Sequence, residues 1–298
     1  MIVKRLKKPV ALRIYDALNA RMTLTAAQQR ERQSYQRGYE GEVQLGNHFE
    51  KMPFDCLVLQ DLQLKESGVQ VQIDVLLLTG NTIHLYEVKN YSGSYDFQDD
   101  ALHTQADFVV DPLAQTRKSK PLIYNLVRKW GYRFQVEECA IFINPNFYIY
   151  QLPRDKPFVF HHQLPHHFGQ TGQGVWIDES HKRLAQKLLN CHLHDYRPHE
   201  LPRYEYAQLK KGIYCSQCYS FAHTNTRQTR ICTCRYKETI REAIQRTAEE
   251  FRLLFPERKM TTSVIYDWCG REYYKQRIQE VMQEHFTVYG KWGGTYYT

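Results

Sequence analysis

Gln72-Ile73-Asp74-Val75-Leu76-Leu77-Leu78-Thr79-Gly80-Asn81-Thr82-Ile83-His84-Leu85-Tyr86-Glu87-Val88-Lys89 is the stretch that decides the fold. Two runs rich in β-branched and aromatic residues flank Gly80-Asn81, a strong signal for a two-residue hairpin turn. With that turn Thr79 faces Thr82, and the register carried outward sets Asp74 against Glu87 and Gln72 against Lys89. Opposed residues on one face have Cβ atoms about 4.5–5.5 Å apart, so two carboxylates there repel unless a cation lies between them. A divalent ion such as Mg²⁺ or Mn²⁺ answers that need, taking carboxylate oxygens while keeping waters and open positions for a phosphate. Lys89 stands two residues from Glu87 on the same face, where an ammonium can orient a water or stabilise developing negative charge. The bland alternative is a solvated surface hairpin with a weak Glu87–Lys89 ion pair. The apolar character of both strands argues against it.

Working outward, the spacing of Tyr39, Val43, Leu45 and Phe49 predicts an amphipathic helix over 35–51, ahead of strands at 56–64, 69–79 and 82–90. Shorter extended pieces follow at 95–97 and 102–110. A helix over 111–130, with Pro112 at its first position, and a buried strand at 136–143 complete a layered α/β or α+β unit. Residues 147–174, rich in Pro, His and Gln, read as loops with a short strand at 158–160. A helix at 179–191 closes the domain.

Four blocks of this region, Gly38-x-x-Gly41-Glu42, Gln72-Ile73-Asp74-Val75-Leu76-Leu77-Leu78, Glu87-Val88-Lys89-Asn90-Tyr91-Ser92-Gly93 and Asp111-Pro112-Leu113-x-Gln115, closely resemble the NERD (nuclease-related) domain. That domain is assigned to the PD-(D/E)XK nuclease superfamily. The resemblance covers roughly residues 35–145 and implies a restriction-endonuclease-like core, a mixed sheet flanked by helices. It implies that Glu42 joins Asp74 and Glu87 around the metal, that Lys89 is the catalytic lysine, and that Gln115 approaches from the second helix. The superfamily's usual proline before the aspartate is replaced here by Ile73.

The 298 residues exceed one ordinary domain, and the formal charge of +8 is unevenly spread. Residues 1–40 hold 9 Lys/Arg against 3 Asp/Glu, residues 41–200 hold 15 against 19, and residues 201–298 hold 16 against 10. Basic ends suit a polyanion and an acidic middle a divalent cation, while ordinary solvated surface charge accounts for the distribution equally well. No apolar run is long enough to span a membrane, and the basic start leads into no signal-peptide pattern, so a cytoplasmic protein is expected.

Of the 8 cysteines, Cys56, Cys139, Cys191 and Cys269 are scattered and read as free thiols. Cys215-x-x-Cys218 and Cys232-x-Cys234 match a structural Zn²⁺ site of the ribbon type, with His223 as an alternative ligand. Helices at 236–255, from Thr261 or Thr262 to 268, and at 271–286 have helix-turn-helix spacing, and the tail from Tyr289 to Tyr297 resembles the hairpin of winged-helix domains. The alternative for this region is a helical cap that binds a protein partner or makes a homodimer. The expected division is a basic helical arm (1–34), a nuclease-like domain (35–196), a linker (197–207), a zinc-ribbon-like module (208–236) and a helix-turn-helix or winged-helix-like module (237–298). The expected function is a metal-dependent DNA nuclease, with RNA as the other candidate substrate. The alternative is a nucleic-acid-binding regulator that cleaves little or nothing.

Overall fold

The computed structural model describes residues 1–104, 108–109, 111–194, 201–290 and 294–298. Parts of the extended piece at 102–110, residues 197–200 of the expected linker and residues 291–293 of the tail lie outside the described residues. The chain opens with strand β1 (Ile2–Lys4), helix α1 (Val10–Arg21) and helix α2 (Ala26–Phe49). It divides into two compact units, Met1–Pro9 with Gln33–Arg197 and Val10–Arg32 with Pro198–Thr298. Residues 1–34 are therefore not a separate arm, because β1 is built into one unit and α1 into the other.

In the first unit the strands β2 (Leu57–Glu66), β3 (Val69–Thr79) and β4 (Thr82–Lys89) form an antiparallel meander. β5 (Gly93–Gln98), β6 (Ala101–His103) and β7 (Phe108–Val109) precede helix α3 (Ala114–Lys129). After it come β8 (Gln135–Phe142), β9 (Phe147–Tyr150), β10 (Phe158–Phe160), α4 (Leu164–Thr171) and α5 (Glu179–Asn190). The main sheet has the order β1-β2-β3-β4-β8-β10, with β8 parallel to both β4 and β10, so it is mixed. A smaller sheet has the order β7-β6-β5-β9.

Helices cover both faces of the main sheet because its central strands are apolar on both sides. Leu76, Leu78, Ile83 and Leu85 pack with Leu122, Ile123 and Leu126 of α3 and Leu184 and Leu188 of α5. On the reverse face Val75, Leu77, Tyr86 and Val88 pack with Leu45 and Phe49 of α2 and Leu164 and Phe168 of α4. The 147–174 segment is more ordered than its composition suggests. Phe147 and Ile149 alternate into a cluster with Phe97, Phe142 and Phe158, which makes β9 a strand. Leu164 and Phe168, one helical turn apart, bury the inner face of α4. Helix α2 also starts well before residue 35, where Thr25 and Gln28 exchange backbone and side-chain hydrogen bonds in a capping box. Helix α3 begins at Ala114 rather than 111, since the Asp111 carboxylate occupies the Leu113 N–H at 2.8 Å.

The second unit contains a three-stranded antiparallel sheet, β11 (His223–Asn225), β12 (Thr229–Cys232) and β13 (Lys237–Thr239). Helices α6 (Ile240–Leu254), α7 (Thr262–Trp268) and α8 (Lys275–His285) follow, then a two-stranded pair, β14 (Val288–Tyr289) and β15 (Tyr296–Tyr297). Met260, between α6 and α7, bridges Tyr297 and joins that pair to the helices. Arg21 at the end of α1 is buried in this unit, 2.6 Å from Glu250 of α6 and 3.9 Å over the Trp268 ring. Removing one partner of a buried ion pair leaves a charge without compensation. Arg21→Met is therefore expected to lower unfolding stability by about 3–5 kcal/mol in urea titrations, and Arg21→Met/Glu250→Leu to recover most of it. Equal losses in both variants would refute that role for the pair.

Candidate functional site

The antiparallel pairing of β3 with β4 runs from Thr79–Thr82 back to Val75–Tyr86 and stops there. The expected opposition of Asp74 to Glu87 as ladder partners is therefore corrected, because the Asp74 carboxylate itself replaces the ladder. Its Oδ2 accepts the Val88 N–H at 2.8 Å. Past this point β4 continues on β8, with Glu87 beside Ala140 and Lys89 beside Phe142, while β3 continues on β2. The β3–β4 ladder opens at this point, and the polar groups gather beyond its last pair. Gln115 and Ser119 of α3 both donate to the Gln72 carbonyl, at 3.3 and 3.4 Å, which ties β3 to α3 two residues before Asp74.

Two buried carboxylates stand at the opening, Glu87 2% exposed and Asp74 7%. Lys89 donates to Glu87 Oε1 at 2.7 Å. The other oxygen, Glu87 Oε2, is buried with no hydrogen-bond partner. Burial and then the Asp74 charge push the Glu87 carboxyl up to about 8, against the pull of Lys89. Burial likewise raises Asp74, with Lys89 and the Val88 N–H opposing. For Lys89 burial acts downward, but Glu87, Tyr91 and Asp74 outweigh it and its pKa stands above the usual lysine range. An ammonium so held keeps its proton.

Glu42 reaches this group from α2. Burial raises its carboxyl well above the usual range, and Asp74, Asp61 and Glu87 add to that by repulsion. The helix comes close because position 41 is glycine, where a Cβ would lie 2.8 Å from the Asn90 Cβ and 3.2 Å from Ile143 Cγ2. Gly41→Ala must push α2, and Glu42 with it, off the end of β4. Expected costs are about 1–3 kcal/mol in stability and a tenfold or greater fall in kcat/KM of the proposed cleavage. Gly38→Ala meets nothing within 4 Å and serves as the control, expected to be neutral or slightly stabilising. Thermal unfolding and initial rates of both variants check this, and equal behaviour would remove the steric argument.

The structure thus brings together Glu42, Asp74, Glu87 and Lys89 and sets Gln115 beside them, its amide turned to the β3 backbone. Sequence reasoning missed Asp61, which acts electrostatically on Glu42 and Asp74, and Lys4, which acts on Glu42. The signal for Asp61 is a polar break in the otherwise apolar alternation of Leu57–Leu64. Lys4 has no local signal.

In the second unit the Sγ atoms of Cys215, Cys218, Cys232 and Cys234 all lie within 4.8 Å of one another. Among the described residues this is the one group of His, Cys, Asp or Glu side chains that close, and it could hold a metal ion. The Cys215–Cys234 and Cys218–Cys232 sulfur distances are 3.7 and 3.4 Å. A tetrahedron with Zn–S bonds of about 2.3 Å has sulfur–sulfur edges of about 3.8 Å. Each pair is closed by a turn whose last residue, Tyr219 or Arg235, has a left-handed φ of 59° or 71°. His223 is committed elsewhere, 3.3 Å from Glu272 and 3.1 Å from Arg230. The carboxylates of Glu42, Asp74 and Glu87 do not all come that close to one another.

Residues 37–143 match the family model of the nuclease-related domain, NERD. The matched segment begins within α2, ends just past β8, and contains Glu42, Asp74, Glu87, Lys89 and Gln115. No curated protein and no solved structure matches the chain.

Proposed function

We propose that the nuclease-related domain at residues 37–143 hydrolyses phosphodiester bonds of DNA with Mg²⁺ or Mn²⁺ as cofactor. The observation that carries this reading is the orphaned Glu87 Oε2, a buried acceptor facing a second buried carboxylate with no donor supplied by the protein. Such a group is costly to bury unless something positive completes it. The donor set is all oxygen, which suits hard divalent cations. Asp74, Glu87 and Glu42 would hold the ion, which when bound acidifies a water and draws charge from the scissile phosphate.

The protein's own groups do the rest. The Val88 N–H fixes one Asp74 oxygen and leaves the other for the ion. Lys89, held protonated beside Glu87, offers N–H donors to a non-bridging phosphate oxygen as negative charge grows there. Gln115 and Ser119 tie the β3 backbone at Gln72 to α3, which steadies the strand that carries Asp74.

The second unit supports a positioning role. Four thiolates fit a structural Zn²⁺, and three helices followed by a strand pair bridged to Met260 have the element order of a winged helix. The solvent side of α8 offers Lys275, Gln276 and Gln279 beside an exposed Tyr274, with Glu280 and Glu284 farther along the helix paired to Arg241. The free thiols agree with a cytoplasmic setting, and among the described residues no helix is long and apolar enough to cross a membrane.

The test incubates the purified chain with single-stranded DNA, duplex DNA and RNA in Mg²⁺, Mn²⁺ or EDTA, beside Lys89→Ala. Cleavage of DNA that needs the cation and Lys89 is the expected result. Cleavage that survives EDTA or the substitution overturns the mechanism, and binding without cleavage identifies a nucleic-acid-binding regulator instead.

A further inference from the structure

Strand β2 runs through Asp61, but its ladder with β3 breaks there by one pair. Its neighbours pair normally with β3, Gln60 with Val75 and Leu62 with Ile73, and the register is the same on both sides of the gap. The residue opposite the gap is Asp74. Asp61 takes a left-handed φ of 49°, which non-glycine residues rarely adopt inside a strand and which persists only when the surroundings enforce it.

The enforcing group comes from far away in sequence. Lys4 of β1, its side chain 11% exposed, donates at 2.7 Å to both the Gln60 and the Asp61 carbonyls, and lies 3.7 Å from the Asp61 carboxylate. These carbonyls are where the strand turns aside, so the ammonium replaces interstrand partners. The Asp61 carboxylate is drawn off by the side-chain amides of Gln63 and Gln72, each at 3.1 Å. Gln60 braces the helix that carries Glu42. Its Oε1 accepts the Leu6 N–H, and its Nε2 fills the notch at Gly46, where a Cβ would stand 2.7 Å away. Position 46 is one helical turn beyond Glu42. The break thus touches the backbone opposite Asp74 and the helix behind Glu42, and Lys4 lies outside the matched domain.

We propose that Lys4 and the left-handed backbone at Asp61 form a positioning device: the ammonium holds open a break in β2 opposite Asp74, and the break fixes where the Asp74 carboxylate stands. With β2 regular, Asp74 would sit in a continuous ladder on that side and β3 would follow a straighter path. With β2 broken, Asp74 turns toward β4 and takes the Val88 N–H. Lys4 and Asp61 are positioning residues, since neither needs to touch substrate or cation. The inference rests on the cation-site reading for its purpose, but not for its test.

The substitutions separate backbone from side chain. Glycine enters the left-handed region freely and alanine does not, so Asp61→Gly keeps the break while losing the carboxylate, and Asp61→Ala loses both. Lys4→Met keeps the length of the side chain and removes the ammonium. In the full chain, without metal, hydrogen exchange of the Val88 amide reports its bond to Asp74, with the Leu77 amide as a control for the intact strand. Mn²⁺ affinity by calorimetry is the second readout.

Asp61→Ala and Lys4→Met are expected to speed Val88 exchange, and to weaken Mn²⁺ binding, by about tenfold, the effect of roughly one hydrogen bond's net free energy. Asp61→Gly should stay within about threefold of the unaltered chain on Val88 exchange and should not weaken Mn²⁺ binding as Asp61→Ala does. If Asp61→Gly falls as far as Asp61→Ala, the carboxylate matters and the backbone does not, which overturns the proposal. Wild-type values for either Lys4→Met or Asp61→Ala also overturn it. Should Asp61→Ala fail to fold, Lys4→Met and Asp61→Gly decide alone. Failure of the unaltered chain to bind Mn²⁺ defeats the nuclease reading, while Val88 exchange still judges the device.

Discussion

Glu87→Gln is expected to lower cation-dependent cleavage by about a thousandfold or more, and to leave the metal-free protein at least as stable as before. The two halves have one cause. Glu87 is 2% exposed, one of its oxygens has no donor, and Asp74 repels it. In the absence of a cation the buried carboxyl, its pKa pushed up to about 8, is mostly neutral near pH 7, so an amide of nearly the same volume costs the fold little. A cation draws off the proton and makes the carboxylate a ligand, for which the amide is a poor substitute. Function and stability therefore pull in opposite directions at this residue, as they do at sites built for a ligand. Thermal unfolding with and without Mn²⁺ checks the claim alongside single-turnover cleavage. The unaltered chain should gain stability from Mn²⁺ and Glu87→Gln should not. A variant that unfolds several degrees earlier without metal would mean that Glu87 is structural.

The second large effect concerns the thiol cluster. Stripping zinc, or Cys232→Ser, should unfold the β11–β13 sheet and its turns while leaving the first unit folded. The sheet has little apolar core of its own. Its order rests on two left-handed turns, on Arg230 buried against Glu272 and Ile213, and on the sulfur tetrahedron. In small modules of this kind structural zinc contributes on the order of 10–16 kcal/mol, far more than those polar contacts supply. Calorimetry should resolve two transitions, of which only that of the second unit drops sharply on chelation, and metal analysis should find one zinc per chain. Unchanged transitions in a metal-free preparation would contradict it.

Much of this was readable in the sequence, for physical reasons that differ by element. The β3–β4 hairpin is legible because Gly80-Asn81 and the apolar runs on either side leave one pairing, whereas the mixed sheet flanked by helices was implied by the family resemblance. The nuclease-related domain is legible in its motif blocks. Harder to read is the place where the hairpin stops. Pattern extends a ladder past Val75 and Tyr86, whereas a side-chain carboxylate ends it by taking a backbone N–H. Side-chain capture of backbone groups leaves no periodic trace. The same holds for Lys4 and Asp61, which meet only after β1 has joined β2. The division of residues 1–34 between two units was hidden because Ala11, Leu12, Ile14, Tyr15 and Leu18 of α1 are all buried, and sequence alone does not say where. Composition misled at 147–174, where Pro, His and Gln obscured the Phe147/Ile149 and Leu164/Phe168 pairs.

A divalent cation bound between Asp74 and Glu87 is what the proposed chemistry requires. Anomalous diffraction from crystals soaked in MnCl₂ tests that most directly. It should show a manganese peak contacting oxygens of both Asp74 and Glu87, absent in Glu87→Gln crystals grown the same way. Manganese found only at surface carboxylates, with the opening between β3 and β4 empty, would contradict the account.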